Sequence, residues 1–204
     1  MKNFLPEDIT EHRKPDYEIH PQFLTRWSPR SFLTKEVPEA ELLALFEAAR
    51  WAPSASNLQP WRYILARTPE DRDRFYSFIN PGNLAWCRNA PALALVLSKS
   101  TNPEGKPNRA HAFDTGASWG HLALEAVNRG LVTHAMGGFD RDRAREVLQV
   151  PTEYELHAVI AIGYHGNKEA LSEAHQEREK PSGRQPLQAS VFEGTFGQVL
   201  GTHE

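Results

Sequence analysis

The sequence predicts a single domain built as a β-sheet with helices packed on it. Three observations carry that expectation. Runs of branched and aromatic residues, WRYILA at 61–66, ALALVL at 92–97, LVTHAM at 131–136 and LHAVIAIGY at 156–164, read as strands. Between them lie segments whose apolar residues recur every three or four positions, the period of a helix with one buried face. Strand and helix thus intermix along the chain, and each must bury its apolar side against the other. Finally, 204 residues with no internal repeat and no Gly/Ser linker suit one domain with a sizeable core.

Taken in order, residues 1–20 read as a polar, irregular arm. Pro38 opens a helix, since proline at the first helical position sacrifices no hydrogen bond. Leu42, Leu45, Phe46 and Ala49 give that helix one apolar stripe. Trp51-Ala52-Pro53 ends it, because Pro53 disfavours helical geometry at Ala52. After the 61–66 strand, Thr68-Pro69-Glu70 starts a short charged helix that carries Phe75, Phe78 and Ile79. Residues 99–109, rich in Asn, Pro, Gly and Lys, form a loop. A long helix follows from about Phe113 to Asn128. Its Gly116, Ala117 and Gly120 would admit close packing, and Gly130 sits where a C-terminal cap belongs. Asp140 caps a basic helix reaching about Leu148. Residues 168–180 are a charged helix or a solvated segment. The tail RQPLQASVFEGTFG at 184–197 places apolar residues beyond the last helix, where they want a partner surface.

Charge and cysteine usage exclude several classes. A net charge of −3 and a pI near 6.3 give no global attraction to nucleic acid or to an anionic membrane. Cys87 is the only cysteine, so no intrachain disulfide can form and a reducing compartment is expected. MKNFLPEDIT lacks the apolar core of a signal peptide. The longest apolar run, 90–97, is too short to span a bilayer. A cytoplasmic protein is the expectation.

One chemical motif is a decoy. Residues 116–120 read GASWG, a literal G-x-S-x-G. A hydrolase would need Ser118 on a strand-to-helix turn, with Asp140 and His157 or His165 as partners. The preceding RAHAFDT is not a strand, so that context is missing. Nine histidines are scattered without a metal-ligand spacing, and no C-x-x-C exists, so no metal site is expected. No G-x-G-x-x-G follows a strand either.

Three separated clusters carry more information. In RWSPRSF (26–32), Arg26, Ser28 and Arg30 alternate and share one side of an extended segment. Two guanidinium forks around a hydroxyl suit an anion with several oxygens, though a solvated basic loop has the same composition. WAPSASNLQPW (51–61) combines two tryptophans with an unusual density of polar groups, too polar for core and too aromatic for a plain loop. Gly137-Gly138 follows a strand, where bare backbone lets a flat ligand approach or simply makes a tight turn.

Together these clusters resemble the FMN-dependent nitroreductase family. The resemblance runs from about Pro21 to Gly197 through RWSPRSF, AARWAPSASNLQPWRY, GNLAWCRNAPALALV, DTGASWGHLALEAVNRGL, MGGFD, AIGY and RQPL, in that order. It implies an α+β fold with a central, mostly antiparallel sheet flanked by helices, and a homodimer with FMN at the subunit interface. It also implies three parts: an arm at 1–20, an FMN-binding domain at 21–183, and a tail at 184–204 exchanged with the partner. In that exchange 191–196 adds an edge strand to the partner's sheet.

By position, the resemblance implies that Arg26 and Ser28 meet the FMN phosphate and ribityl chain, with Trp27 beside them. Arg30 takes the place of a cation near flavin N1. Pro53, Ser54, Ala55 and Asn57 face the flavin from the other subunit, with Trp51 and Trp61 anchoring that shelf in apolar surroundings. Asn83 bonds the pyrimidine edge, Met136, Gly137 and Gly138 line the ring near N5, and Arg184 reaches the phosphate. Phe75, Tyr76, Phe113 and Trp119 are candidate pocket walls. The sequence departs from the family at Ser182, where a second cation is frequent, at Ala55, where a hydroxyl is common, and at Trp86, where a lysine sometimes stands.

The implied activity is ping-pong reduction of a nitroaromatic, quinone or related small-molecule acceptor, with NADPH or NADH as reductant and no catalytic side-chain nucleophile. A dehalogenase, an enal or semialdehyde reductase, or an oxygen-using dehydrogenase would share the fold. A serine hydrolase through Ser118, of a different class, and a non-catalytic flavin-binding protein are the further alternatives.

Overall fold

A computed structural model describes residues 7–201. Four strands, β1 (Trp61–Ala66), β2 (Ala92–Lys99), β3 (Val132–Met136) and β4 (Tyr154–Gly163), form one sheet in the order β1-β2-β4-β3. Every pairing is antiparallel. The helices are α1 (Glu7–His12), α2 (Gln22–Thr25), α3 (Glu39–Arg50), α4 (Pro69–Tyr76), α5 (Pro81–Cys87), α6 (His111–Asn128), α7 (Arg141–Val147) and α8 (Glu173–Gln176). The fold is α+β, as the sequence led us to expect.

β2 lies in the middle of the sheet and is buried along nearly its whole length. That explains why ALALVL is a continuous apolar run rather than an alternating one. Successive residues still point to opposite faces. Leu93, Leu95 and Leu97 join Phe75, Phe78, Trp86 and Phe139 on one side. Ala92, Ala94 and Val96 join Leu42, Leu45, Leu122 and Ala126 of α3 and α6 on the other. The sheet is thus sandwiched between helical layers, each with its own core.

Local chemistry sets most element ends. Thr68 accepts from Asp71 N at 3.2 Å and Asp140 accepts from Arg143 N at 2.9 Å, capping α4 and α7. Gly130, at φ +66°, closes α6, and Leu131 N returns to Ala126 O at 2.8 Å.

Several expectations are corrected. Residues 7–12 form a helix whose Ile9 is buried, so the first twenty residues are not simply irregular. Helix α5 was not anticipated, although Asn80-Pro81 opens it as Val37-Pro38 opens α3. Helix α4 stops at Tyr76, before Phe78 and Ile79, because Ile79 leaves it to bridge Phe139. The 168–180 segment is a 3-10 turn and the short α8 rather than one helix. Among the described residues, nothing packs near a Cβ built at Gly116 or Gly120, so α6 presents those positions outward.

Candidate functional site

The WAPSASNLQPW stretch is a polar shelf held by one carboxylate. Asp114, buried in the first turn of α6, accepts from Ser54 Oγ at 3.1 Å and Ala55 N at 2.9 Å through the same oxygen. Ser54 Oγ in turn accepts from Gln59 N at 2.8 Å. Ser56, Asn57 and Gln59 have positive φ angles of 52°, 54° and 46°, a conformation that costs free energy in non-glycine residues. Such backbone persists only where surrounding contacts enforce it, and it clusters at ligand sites. Gln59 Nε2 donates to Asn57 Oδ1 at 2.9 Å, which leaves the Asn57 NH2 group facing outward as a donor. Pro53, Ala55 and Asn57 are exposed in the single chain.

The two tryptophans do not play matching parts. Trp61 is buried at the start of β1. Trp51 is 70% exposed, with its indole N–H on Glu47 at 2.9 Å and Arg50 over its ring. Within the single chain, Trp51 is therefore not set in apolar surroundings.

The RWSPRSF segment is fixed from three directions. Arg13, buried behind α1, donates to Leu24 O at 2.7 Å, Arg26 O at 2.6 Å and Ser182 O at 3.1 Å. One guanidinium thereby ties the end of the first helix, this segment and the stretch just before the tail together. Sequence reading passed over Arg13, because a lone arginine in a polar arm carries no local signature. Arg26 Nη1 donates to Ser28 Oγ at 3.2 Å. Burial first, then the nearby Arg184, lowers the Arg26 pKa. Burial, Arg184 and Arg26 bring that of Arg13 down to about 10. Arg184 itself, in the exposed tail, bonds Ser182 and Gly183. Three mutually repelling cations therefore converge, an arrangement that an anion would relieve.

Glu179 is the second residue missed. Its side chain is 1% exposed and accepts from Arg30 N at 2.8 Å, Ser31 N at 2.8 Å and Ser31 Oγ at 2.8 Å, with His165 Nε2 at 3.4 Å. Burial pushes this carboxyl up, but the bonds from His165, Ser31 and Arg30 outweigh it and hold the pKa at about 2. Because Glu179 grips the Arg30 backbone, the Arg30 side chain is free for another partner. Its pKa is lowered by burial and by Arg178. Trp27 meets His165 edge-on at 5.4 Å.

The end of β3 joins this segment. His134 Nδ1 lies 2.9 Å from Pro29 O and so must carry the proton, since a carbonyl only accepts. Its ring packs at 4.5 Å on Trp86, which also stacks on Phe32. Trp86 is thus core, which accounts for an aromatic residue at that position. Just beyond buried Met136, Asn83 Nδ2 donates to Gly138 O at 3.1 Å. A Cβ at Gly138 would meet Asn83 Nδ2 at 2.6 Å, so a larger residue there would push the Asn83 side chain aside. Gly137 faces open space.

The structure therefore unites Arg26, Trp27, Ser28, Arg30, Arg184, Asn83, Met136, Gly137 and Gly138 around neighbouring elements. The shelf with Pro53, Ser54, Ala55 and Asn57 is held separately, by α6.

Other candidates resolve differently. Ser118 is fully buried in mid-helix and shares a 2.7 Å hydrogen bond with Tyr63, whose pKa burial raises to about 12. No nucleophile elbow exists there. Phe75 is core rather than a pocket wall, while Phe113 is 82% exposed. His111, Glu155 and His157 come together unannounced by spacing, with both imidazoles on buried Ser98 Oγ at 2.7 and 2.6 Å. Ser98 thus engages Nδ1 of His111 and Nε2 of His157, while His111 Nε2 lies 3.8 Å from Glu155 Oε1.

The nitroreductase family model matches residues 24–85 and 77–164. The chain belongs to the nitroreductase family. That membership places it in the general class of flavin oxidoreductases. A crystal structure described as an oxidoreductase containing FMN is 42% identical, with a TM-score of 0.88 over 91% of this chain and 96% of that one. An NADH dehydrogenase of Thermus thermophilus is 30% identical and covers 83% of this chain and 92% of its own length. A putative NADH dehydrogenase/NAD(P)H nitroreductase of Streptomyces coelicolor is 27% identical over 66% of this chain and 76% of its own. No described helix of this nitroreductase-family chain is long and apolar enough to cross a membrane.

Proposed function

We propose that the protein is an FMN-dependent NAD(P)H oxidoreductase that reduces nitroaromatics, quinones or related electron-poor acceptors by a ping-pong cycle. One observation carries the reading: Arg26 bonds Ser28, Arg13 bonds the carbonyls of both Arg26 and Ser182, and Arg184 bonds Ser182, so three guanidiniums from segments far apart in sequence gather at one place. A phosphate monoester there would neutralise a repulsive cluster and accept charge-assisted hydrogen bonds. The donor set fits FMN. Bound FMN would supply hydride chemistry that no side chain here can perform.

The residues would divide the work as follows. Arg26, Ser28 and Arg184 bind the phosphate end, and Arg13 positions their backbone. Arg30, held by Glu179 through its amide alone, offers a cation to the negatively charged side of a reduced isoalloxazine. Asn83 braces Gly138 and keeps the chain after β3 flat against the ring. Gly137, with no side chain, leaves room and an amide N–H. The Asn57 NH2 donor and its shelf serve the flavin of a partner subunit in a homodimer.

The test is anaerobic stopped-flow with protein loaded with FMN. NADH or NADPH should bleach the flavin absorbance, and members of an acceptor panel should restore it. Protein that refuses added FMN overturns the reading. Flavin that binds but stays oxidised with both nicotinamides makes this a flavin-binding protein or one with another donor.

A further inference from the structure

A cavity of about 210 Å³ opens where the shelf runs into β1. Leu58 and Pro60 form its shelf side. Its polar lining comes from Arg62, Lys99, Thr101, Asn102 and Asn108, with no acidic residue. The lining is almost wholly donor. Asn102 Oδ1 already accepts from Lys106 N at 2.8 Å, and Asn108 Oδ1 from Ala110 N at 3.1 Å. Each amide is thereby left with its NH2 group to offer. Arg62 spends only Nη1, on Gln59 O at 2.9 Å and Trp61 O at 2.7 Å. The Lys99 ammonium has no ion-pair partner among the described residues. Two cations and two amide donors around a small void describe an anion site. The volume has room for one phosphate and a few waters, at roughly 30 Å³ per water, and not for a whole dinucleotide.

We propose that this cavity is an anion subsite that takes a phosphate group of the nicotinamide dinucleotide, with Lys99 and Arg62 as its charge partners. The inference rests on the function proposed above, in which the shelf serves a flavin that NADH or NADPH reduces. Arg62 couples the two regions, because the same guanidinium that lines the cavity holds the Gln59 carbonyl. Tying phosphate recognition to this corner would let the chain grip a reductant without a separate dinucleotide fold.

The experiment follows flavin reduction in the holoenzyme by NADPH, by NADH and by the phosphate-free donor 1-benzyl-1,4-dihydronicotinamide. In Lys99→Gln, the apparent affinity for a phosphorylated donor, relative to the phosphate-free one, should fall about ten-fold. Lys99→Arg should recover most of it. A fall confined to NADPH assigns the cavity to the 2′-phosphate, and equal falls for NADPH and NADH assign it to the diphosphate. An unchanged ratio, or an equal fall with all three donors, overturns the proposal. If the wild-type flavin is reduced by none of the three, the proposed function fails, and titration with inorganic phosphate decides the subsite. Binding that Lys99→Gln abolishes upholds an anion site, and identical behaviour of the two proteins overturns it.

Discussion

At Asp114 one buried carboxylate oxygen organises a strained loop. It accepts from Ser54 and Ala55, and Ser54 passes the constraint to Gln59. Asp114→Ala leaves the Ala55 amide without its partner, at a cost of about 1–3 kcal/mol, which a denaturant melt would register. The exposed end of the same shelf gives a functional prediction. Asn57→Ala should weaken FMN binding several-fold in a fluorescence titration, and an unchanged affinity would count against the shelf as a flavin contact. Arg13 presents a third case at this scale. Its fork reaches three carbonyls on two segments, 24–26 and 182, a geometry that an ammonium cannot reproduce. Arg13→Lys should therefore lower FMN affinity about ten-fold even though charge is retained, as the Arg26 backbone loses its brace.

The segment around Glu179 shows how an element with little regular structure can hold a site. α8 is one turn long, yet the carboxylate just beyond it fixes two consecutive backbone amides and a hydroxyl of the 26–32 segment. The acid dependence follows from its depressed pKa. A carboxyl held at about 2, against an ordinary 4.5, contributes stability that is complete above about pH 4.5. That contribution is lost as pH falls from 4.5 towards 2. Melting temperatures measured across this window should drop more steeply for the wild type than for Glu179→Gln, which starts less stable at neutral pH.

For the whole molecule, the outward features concern association. Phe113, Gly116 and Gly120 lie along one face of α6, and Phe113 and Phe196 are among the most exposed apolar side chains described. In the tail, Phe192 and Phe196 contact each other at 4.9 Å rather than the sheet. This is the disposition expected of a chain that completes itself against a second copy. Removing residues 184–204 should shift the mass measured by light scattering from dimer towards monomer. It should also release FMN, since Arg184 goes with the tail. A truncated protein that stays dimeric and yellow would refute the exchanged tail.

The sequence by itself determined the four strands, the caps at Thr68, Asp140 and Gly130, and the sheet-and-helix class. Each depends on local periodicity or on the chemistry of a few adjacent residues. It also singled out Arg26, Ser28, Asn83, Gly138 and Arg184, because their motifs occur in a specific order. The sheet order β1-β2-β4-β3, the pairing of Asn83 with Gly138, and the parts of Arg13, Asp114 and Glu179 came only from the tertiary structure. Those three are ordinary charged residues in unremarkable local sequence. Their partners lie up to 169 positions away, and only folding brings a lone guanidinium or carboxylate against the backbone groups that give it meaning.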